Sequence, residues 1–173
     1  MKQAAAALTS ILIAILATVG ASAYSPERAE AASTVRSCTG EDIRIGAAEK
    51  QMLDLHNRER ASRDLPRLCV HPRLQRAANA HSREMIRRGR FTHGNTGRRL
   101  KRFGYDYRIY AENIARDNGS PSPARTFGRW MQSSPHRSNI LDRRLDEVGI
   151  GASTGDVRGS KVTAWTVDLA TRS

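Results

Sequence analysis

The sequence predicts an α+β domain in which helices pack on a small, mainly antiparallel sheet. Apolar residues recur at helical spacing through residues 47–62 and again from residue 72. The run 162–169, rich in β-branched and aromatic residues, is typical of a buried strand. Because the helices come first and the strands come late, the order favours α+β over an alternating parallel fold. A chain of 173 residues suits one domain.

The first two helices have recognisable ends. The helical pattern of 47–62 stops before Pro66, because the residue before a proline avoids the helical region. The second helix begins near Pro72, which is favoured in a first turn, and ends at Gly89 as a C-terminal cap. His81 lies on its apolar face. We interpret His81 as a core histidine with a satisfied hydrogen bond rather than as a ligand.

Shorter elements follow the second helix. Residues 97–104 predict a short amphipathic helix with a solvated basic face. A third helix is expected over 122–133, with Pro135 ending it. Residues 148–151 read as a short strand, and the glycine-containing segment 154–161 as a loop between antiparallel neighbours.

The N-terminal region predicts export. Residues 1–23 combine the basic Lys2, an apolar run and small residues at the end, which is the pattern of a secretory signal peptide. A second cleavage position lies near residue 31, and an uncleaved anchor is the alternative. We expect a polar N-terminal arm over 24–46 and one domain over 47–173, secreted to the extracellular side.

Charge and composition indicate which classes of binding partner to expect. The net charge is +12, with 29 basic and 17 acidic residues, and 39% of the residues are hydrophobic. These values suit a soluble globular domain and favour anionic partners: a cell-wall polymer, a membrane surface or a lipid. Solubility alone is the alternative explanation. Export and few aromatic residues argue against a specific nucleic-acid site, and we expect a monomer.

Two cysteines, Cys38 and Cys69, are present. An even count in an exported protein predicts one disulfide between them. Two buried free thiols are the alternative. A metal pair is disfavoured because two distant cysteines without a CxxC spacing do not make a zinc site.

Three polar side chains stand in apolar settings on separate segments. His93 follows a helix end, Glu112 lies among apolar residues, and His136 follows Pro135. Burying Glu112 without a partner would be costly, so the sequence predicts hydrogen-bond donors or a cation beside it. We expect His93, Glu112 and His136 to converge in one cleft.

An ordered series of motifs carries a family resemblance. The series comprises Leu55-His56-Asn57 with Arg60, His81-Ser82, Phe91-Thr92-His93, Ala111-Glu112-Asn113-Ile114, Trp130-Met131, His136-Arg137, Glu147-Val148-Gly149-Ile150-Gly151 and Trp165. In order and spacing, the chain resembles the CAP superfamily, also called the SCP or pathogenesis-related-1-like domain, in its bacterial exported branch. The resemblance spans residues 47–170.

The resemblance implies an α-β-α sandwich with two histidines and two acidic residues in a central cleft. His93, Glu112 and His136 match three of these positions. Ser133 stands where eukaryotic relatives carry the fourth residue, an acid, while Glu147 matches a residue common in bacterial members. A divalent metal such as zinc would use His93 and His136 as ligands.

Three functions remain open from the sequence. The favoured one is a secreted, non-enzymatic binding module whose cleft takes a divalent metal, a lipid or another ligand. The second is a metal-dependent, peptidase-like hydrolase with Glu112 or Glu147 as its catalytic base. The third is a basic adhesion protein of the cell wall or membrane surface, in which the cleft is only structural.

Overall fold

The computed structural model describes residues 32–173, in which a central sheet lies between two layers of helices. The helices are α1 (Ala47–Ala61), α2 (Pro72–Arg88), α3 (Thr96–Arg102), α4 (Pro123–Gln132) and α5 (Ser134–Leu141). The strands are β1 (Ser33–Arg36), β2 (Asp42–Ile45), β3 (Cys69–Val70), β4 (Tyr107–Asn118), β5 (Glu147–Val157) and β6 (Ser160–Arg172). The α+β class is confirmed. The expected signal peptide, 1–23, and its cleavage positions lie outside the described residues.

The main sheet has four strands in the order β3-β5-β6-β4. Strand β3 runs parallel to β5, and the other pairs are antiparallel, as the sequence predicted. The loop expected over 154–161 is wrong, because β5 and β6 continue until Val157 pairs with Ser160. Arg158 and Gly159 form the two-residue turn with φ of 54° and 77°, and positive φ at both positions matches the twist of a hairpin.

Both faces of the sheet are covered by helices. On one face, Trp165 and Val167 join the main apolar core together with Met52 of α1 and Phe127 of α4. On the other face, Thr166 accepts a hydrogen bond of 2.9 Å from Ser82 of α2. Side chains of a strand alternate between the faces, so β6 contributes to both layers. The result is the α-β-α sandwich.

Two glycines of β5 allow α2 to lie directly on the sheet. A Cβ atom on Gly149 would stand 2.1 Å from the Leu74 carbonyl carbon, and one on Gly151 would stand 2.5 Å from that of Ala78. Both distances are far inside van der Waals contact, and the obstacles are backbone atoms that cannot rotate away. The close contact between α2 and β5 therefore requires glycine at both positions.

Helix α5 begins where the sequence predicted an interruption. Pro135 was expected to stop the preceding helix; instead α4 ends at Gln132 and Pro135 occupies the first turn of α5. A proline is tolerated there because the first-turn amides have no partner within the helix. This places His136 in the first turn of a helix.

The described part of the N-terminal arm, residues 32–46, contains a β-hairpin that the sequence did not predict. Strands β1 and β2 pair antiparallel, and the turn carries Cys38. The predicted disulfide is confirmed: Cys38 and Cys69 are bonded, with their Cα atoms 5.4 Å apart. It attaches the hairpin to β3. Within residues 32–173, every helix is too short or too polar to cross a bilayer.

Candidate functional site

Three elements position the predicted cleft residues. His93 lies in the loop between α2 and α3, Glu112 lies in β4 at the edge of the sheet, and His136 lies in the first turn of α5. The left-handed Gly89, with φ of 61°, ends α2 and turns the chain toward the loop.

Glu112 is buried and surrounded by donors. Its carboxylate accepts hydrogen bonds from His93 Nδ1 at 2.7 Å, from Thr96 Oγ1 at 2.9 Å, and from Arg99 Nη2. Its side chain is only 3% exposed. Glu112 was expected to need hydrogen-bond donors or a cation. It has both: His93 and Thr96 are donors, and Arg99 is a cation.

Arg99 joins Glu112 to a second buried carboxylate. Its Nη2 atom lies 3.2 Å from Asp168 Oδ1, and Asp168 is completely buried. Burial raises the pKa of Asp168 and of Glu112, while Arg99 opposes the rise in both. We call His93, Thr96, Arg99, Glu112 and Asp168 the Arg99 network.

The Arg99 network contains two incompletely satisfied atoms. Asp168 Oδ2 and Arg99 Nε have no hydrogen-bond partner among the described residues. Burial disfavours two charges on the neighbouring carboxyl groups around one guanidinium. The two carboxyl groups, Glu112 and Asp168, therefore together retain one proton above the pH at which exposed carboxyl groups ionise.

His136 is attached to β4 beside Glu112. Asn113 Nδ2 donates to the His136 carbonyl oxygen at 3.0 Å, and Asn139 Nδ2 donates to the Glu112 carbonyl oxygen at 3.3 Å. The His136 ring contacts Ser133, with 2.8 Å between Nδ1 and Oγ. Burial lowers the pKa of His136, and repulsion from His93 lowers it further.

His81 supports the network from α2. Its ring nitrogen Nε2 lies 2.9 Å from the Thr92 carbonyl oxygen and 3.9 Å from Glu112 Oε2. Burial, aided by Arg99, lowers the pKa of His81 to about 4, so the ring is neutral near pH 7. The interpretation of His81 as a satisfied core histidine is confirmed.

Glu147 lies apart from the other predicted cleft residues. It begins β5, accepts a hydrogen bond from Tyr105 Oη at 2.7 Å, and forms an ion pair with Arg172, whose Nε lies 2.9 Å from Glu147 Oε1. Burial of Tyr105 and its hydrogen bond to Glu147 raise the pKa of the Tyr105 hydroxyl. No hydrogen bond or ion pair within residues 32–173 joins Glu147 to His93 or Glu112. Of the four predicted residues, His93 and Glu112 are thus hydrogen-bonded to each other, and the backbone of His136 is attached to Asn113 next to Glu112.

Sequence reasoning missed Arg99 and Asp168. The basic run of α3 predicted a solvated face, but Arg99 is only 6% exposed and points into the network. Asp168 was recognised only as part of a strand. One signal was available: a buried carboxylate at Glu112 needs a cation, and a helix that packs on the same face offers an arginine.

The cleft does not fit a metal centre in which Glu112 is a ligand. Both oxygens of its carboxylate are occupied by donors, and Arg99 places a positive charge where a cation would bind. The Nδ1 atoms of His93 and His136 face Glu112 and Ser133, which leaves only the two Nε2 atoms for a metal.

A different cluster of potential metal ligands lies near the disulfide. Within residues 32–173, the single set of three potential ligand atoms lying within 4.8 Å of one another is Cys38, Cys69 and Glu147. The two cysteines share the disulfide, so they offer no thiolate.

Comparison with known sequences identifies relatives over most of the domain. A model of the CAP family, the cysteine-rich secretory protein family, matches residues 53–169. The uncharacterized protein YkwD of Bacillus subtilis (strain 168) is 32% identical over 131 residues, which cover 73% of this chain and 49% of that protein. The uncharacterized membrane protein YlbC of the same strain is 32% identical over 123 residues, which cover 68% of this chain and 35% of that protein. The chain spans half or less of each relative.

Solved structures agree on the fold. An extracellular protein containing an SCP domain from Bacillus anthracis str. Ames has a TM-score of 0.61 at 23% identity, covering 78% of this chain and 47% of that one. An outer surface protein from Borrelia burgdorferi has a TM-score of 0.61 at 14% identity, and the match covers 83% of this chain and 100% of that one.

Proposed function

This chain belongs to the CAP family, the cysteine-rich secretory proteins, and from that premise we propose that it is an extracellular binding module and not an enzyme. Its ligand site is the cleft around His93 and His136, supported from below by Glu112. The observation that carries the proposal is the engagement of Glu112 by Arg99, Thr96 and His93.

A catalytic base must be free to take a proton from substrate or water. The Glu112 carboxylate is buried, and donors occupy both of its oxygens. Glu147, the other predicted base, is held by Tyr105 and Arg172. Neither carboxylate is placed for the metal-dependent hydrolase considered from the sequence.

The same contacts favour recognition. His93 keeps 53% of its side chain exposed while its Nδ1 is fixed by Glu112. A ring that is anchored on one side and open on the other loses little rotamer freedom when a ligand binds. His136 lies on α5. Hydrogen bonds between α5 and β4 hold the backbone of His136 in place.

The extracellular location is supported by two observations. Structural relatives include an extracellular protein and an outer surface protein. The disulfide between Cys38 and Cys69 is the kind of bond that persists outside a reducing cytosol. A net charge of +12 then favours an anionic cell-wall polymer as the ligand.

One contact favours a second candidate, a serine hydrolase. Ser133 Oγ lies 2.8 Å from His136 Nδ1, within reach of a proton transfer. A serine–histidine pair also needs a group that orients the base. No carboxylate among residues 32–173 hydrogen-bonds to His136, so the pair lacks that group.

The experiment compares binding and turnover on the same material. The secreted protein is incubated with purified bacterial cell walls over a salt series, and both the bound fraction and any released sugar or peptide are measured. We expect saturable retention that weakens with salt, reduced by His93→Ala with His136→Ala, and no release. Release that disappears in Ser133→Ala or His136→Ala would instead establish the hydrolase.

A further inference from the structure

A second cavity lies between α2 and α3, on the other side of the Arg99 network. Its volume is about 570 Å³, and residues of the loop that follows α2 contribute to its lining. His81 and Arg99 line this pocket, whereas His93, Glu112 and His136 do not. Sites for small molecules typically measure roughly 300–1,000 Å³. We call this cavity the α2–α3 pocket.

Positive charge at the α2–α3 pocket is only partly neutralised. Five arginines and one glutamate line it. Glu84 pairs with Arg88, and Arg99 pairs with Glu112 inside the fold. The remaining lining arginines are exposed, and their side chains form no hydrogen bond or ion pair with any residue of 32–173. They are Arg90, Arg98 and Arg102.

The interior of the pocket is apolar. Ala80 and Met85 of α2 line it together with Phe103, which directly follows α3. Met85 is buried, and Phe103 is half-buried. His81 adds a neutral ring, because burial holds its pKa well below the ordinary value. The pocket therefore combines an apolar interior with unpaired guanidinium groups.

We propose that the α2–α3 pocket binds a small phosphate monoester with a short apolar body. A phosphate ester offers three terminal oxygens, which suit the unpaired forks of Arg90, Arg98 and Arg102 better than the two oxygens of a carboxylate. The ester's carbon chain enters the space between Met85 and Phe103. This site is distinct from the cleft of the proposed function and goes beyond it.

The test uses n-hexyl phosphate as the probe, with inorganic phosphate as the comparison, measured by titration calorimetry at low and moderate salt. We expect saturable binding of one hexyl phosphate per chain, at least about tenfold tighter than inorganic phosphate because of the buried carbon chain. No saturable binding of hexyl phosphate, or equal affinity for both probes, would overturn the proposal.

Matched variants separate this pocket from the general positive charge. Arg98→Gln with Arg102→Gln removes two of the unpaired guanidinium groups. Arg58→Gln with Arg137→Gln removes the same charge from two exposed arginines of α1 and α5, which do not line the pocket. We expect the first pair to weaken hexyl phosphate binding by about tenfold or more and the second by less than about twofold. An equal loss in both would show a plain charge effect and overturn the site.

Filling the pocket tests its apolar interior. Ala80→Phe adds bulk facing the cavity while every charge is kept, and circular dichroism confirms that the variant is folded. We expect hexyl phosphate binding to be lost and inorganic phosphate binding to change little. Unchanged binding of hexyl phosphate would place the ligand elsewhere. The His93→Ala with His136→Ala variant should bind hexyl phosphate normally, so failure here and failure of the proposed function are distinguishable.

Discussion

In the Arg99 network, the Arg99 side chain lies between two buried carboxyl groups, Glu112 and Asp168. The guanidinium and both carboxyl groups are almost fully removed from water. Their mutual attraction must offset a large desolvation cost. Removing a single member therefore costs more than the attraction itself is worth, because it leaves a buried charge without its partner.

Replacement of Arg99 measures this effect. We expect Arg99→Met to lower the free energy of unfolding by about 3–5 kcal/mol, since Glu112 and Asp168 lose their counterion. The neighbouring Arg98→Met should change it by less than about 0.5 kcal/mol, as exposed substitutions do. Urea unfolding of both variants provides the comparison. Similar stability for the two would show that Arg99 has no special electrostatic role.

A pH-dependent stability is expected from His56. Burial lowers its pKa to about 4, whereas an unfolded histidine titrates near 6.5, at about the usual value. The folded state therefore favours the neutral ring, and His56 contributes stability above about pH 6.5 that is lost as the pH falls toward 4. The total contribution is about 3 kcal/mol.

The substitution His56→Phe removes this titration. The ring packs edge-on against Phe127, and its Nε2 has no hydrogen-bond partner within residues 32–173. An apolar ring of similar shape keeps this packing and gives up only the contact of 2.8 Å between Nδ1 and the Met52 carbonyl oxygen. As the pH is lowered from 7 to 4, the melting temperature of the variant should fall less steeply than that of the wild type. Parallel curves would mean that other groups dominate the acid response.

At the scale of elements, sequence patterns succeeded where the cause was local. Gly89 and Pro72 mark the ends of α2 through backbone geometry, which is fixed by the residue itself. The patterns failed where the cause was tertiary. The pattern of α3 suggested a solvated basic face, yet Arg99 turns inward because it pairs with Glu112 on the next element, β4, and with Asp168, 69 residues away on β6. No local pattern contains that partner.

The close packing of α2 on β5 gives a prediction for the glycines. Gly149→Ala should destabilise the fold by about 1–3 kcal/mol or more, since its Cβ would overlap the Leu74 backbone. Gly128→Ala is the control: it lies within α4 with nothing near the added carbon, and it should stabilise by about 0.5–1 kcal/mol. Chemical denaturation distinguishes the two. Loss of stability in both would point to a general sensitivity to added methyl groups.

At the scale of the whole molecule, one covalent bond and one sheet hold the described parts together. The disulfide attaches the β1–β2 hairpin to β3, at the edge of the main sheet opposite β4. The cleft lies on the β4 side, where α5 and the loop before α3 meet. The hairpin is therefore distant from the cleft in the order of the sheet.

This separation predicts different effects on stability and on binding. Cys38→Ser with Cys69→Ser opens a loop defined by a separation of 31 residues, which the chain-entropy model values at about 3.5 kcal/mol. Unfolding with and without reductant measures that loss in the wild type. Cell-wall retention at low temperature should be unchanged in the variant. Retention that disappears while the protein is still folded would show that the hairpin contributes to binding.

The central claim is that Glu112 is committed to Arg99 and so serves neither as a metal ligand nor as a catalytic base. Zinc titration by calorimetry, on protein made without an affinity tag, tests it most directly when wild type, Glu112→Gln and His93→Ala with His136→Ala are compared. We expect any zinc binding to be weak, to depend on the two histidines, and to be the same in wild type and Glu112→Gln. One tightly bound zinc per chain that is lost in Glu112→Gln would contradict the account.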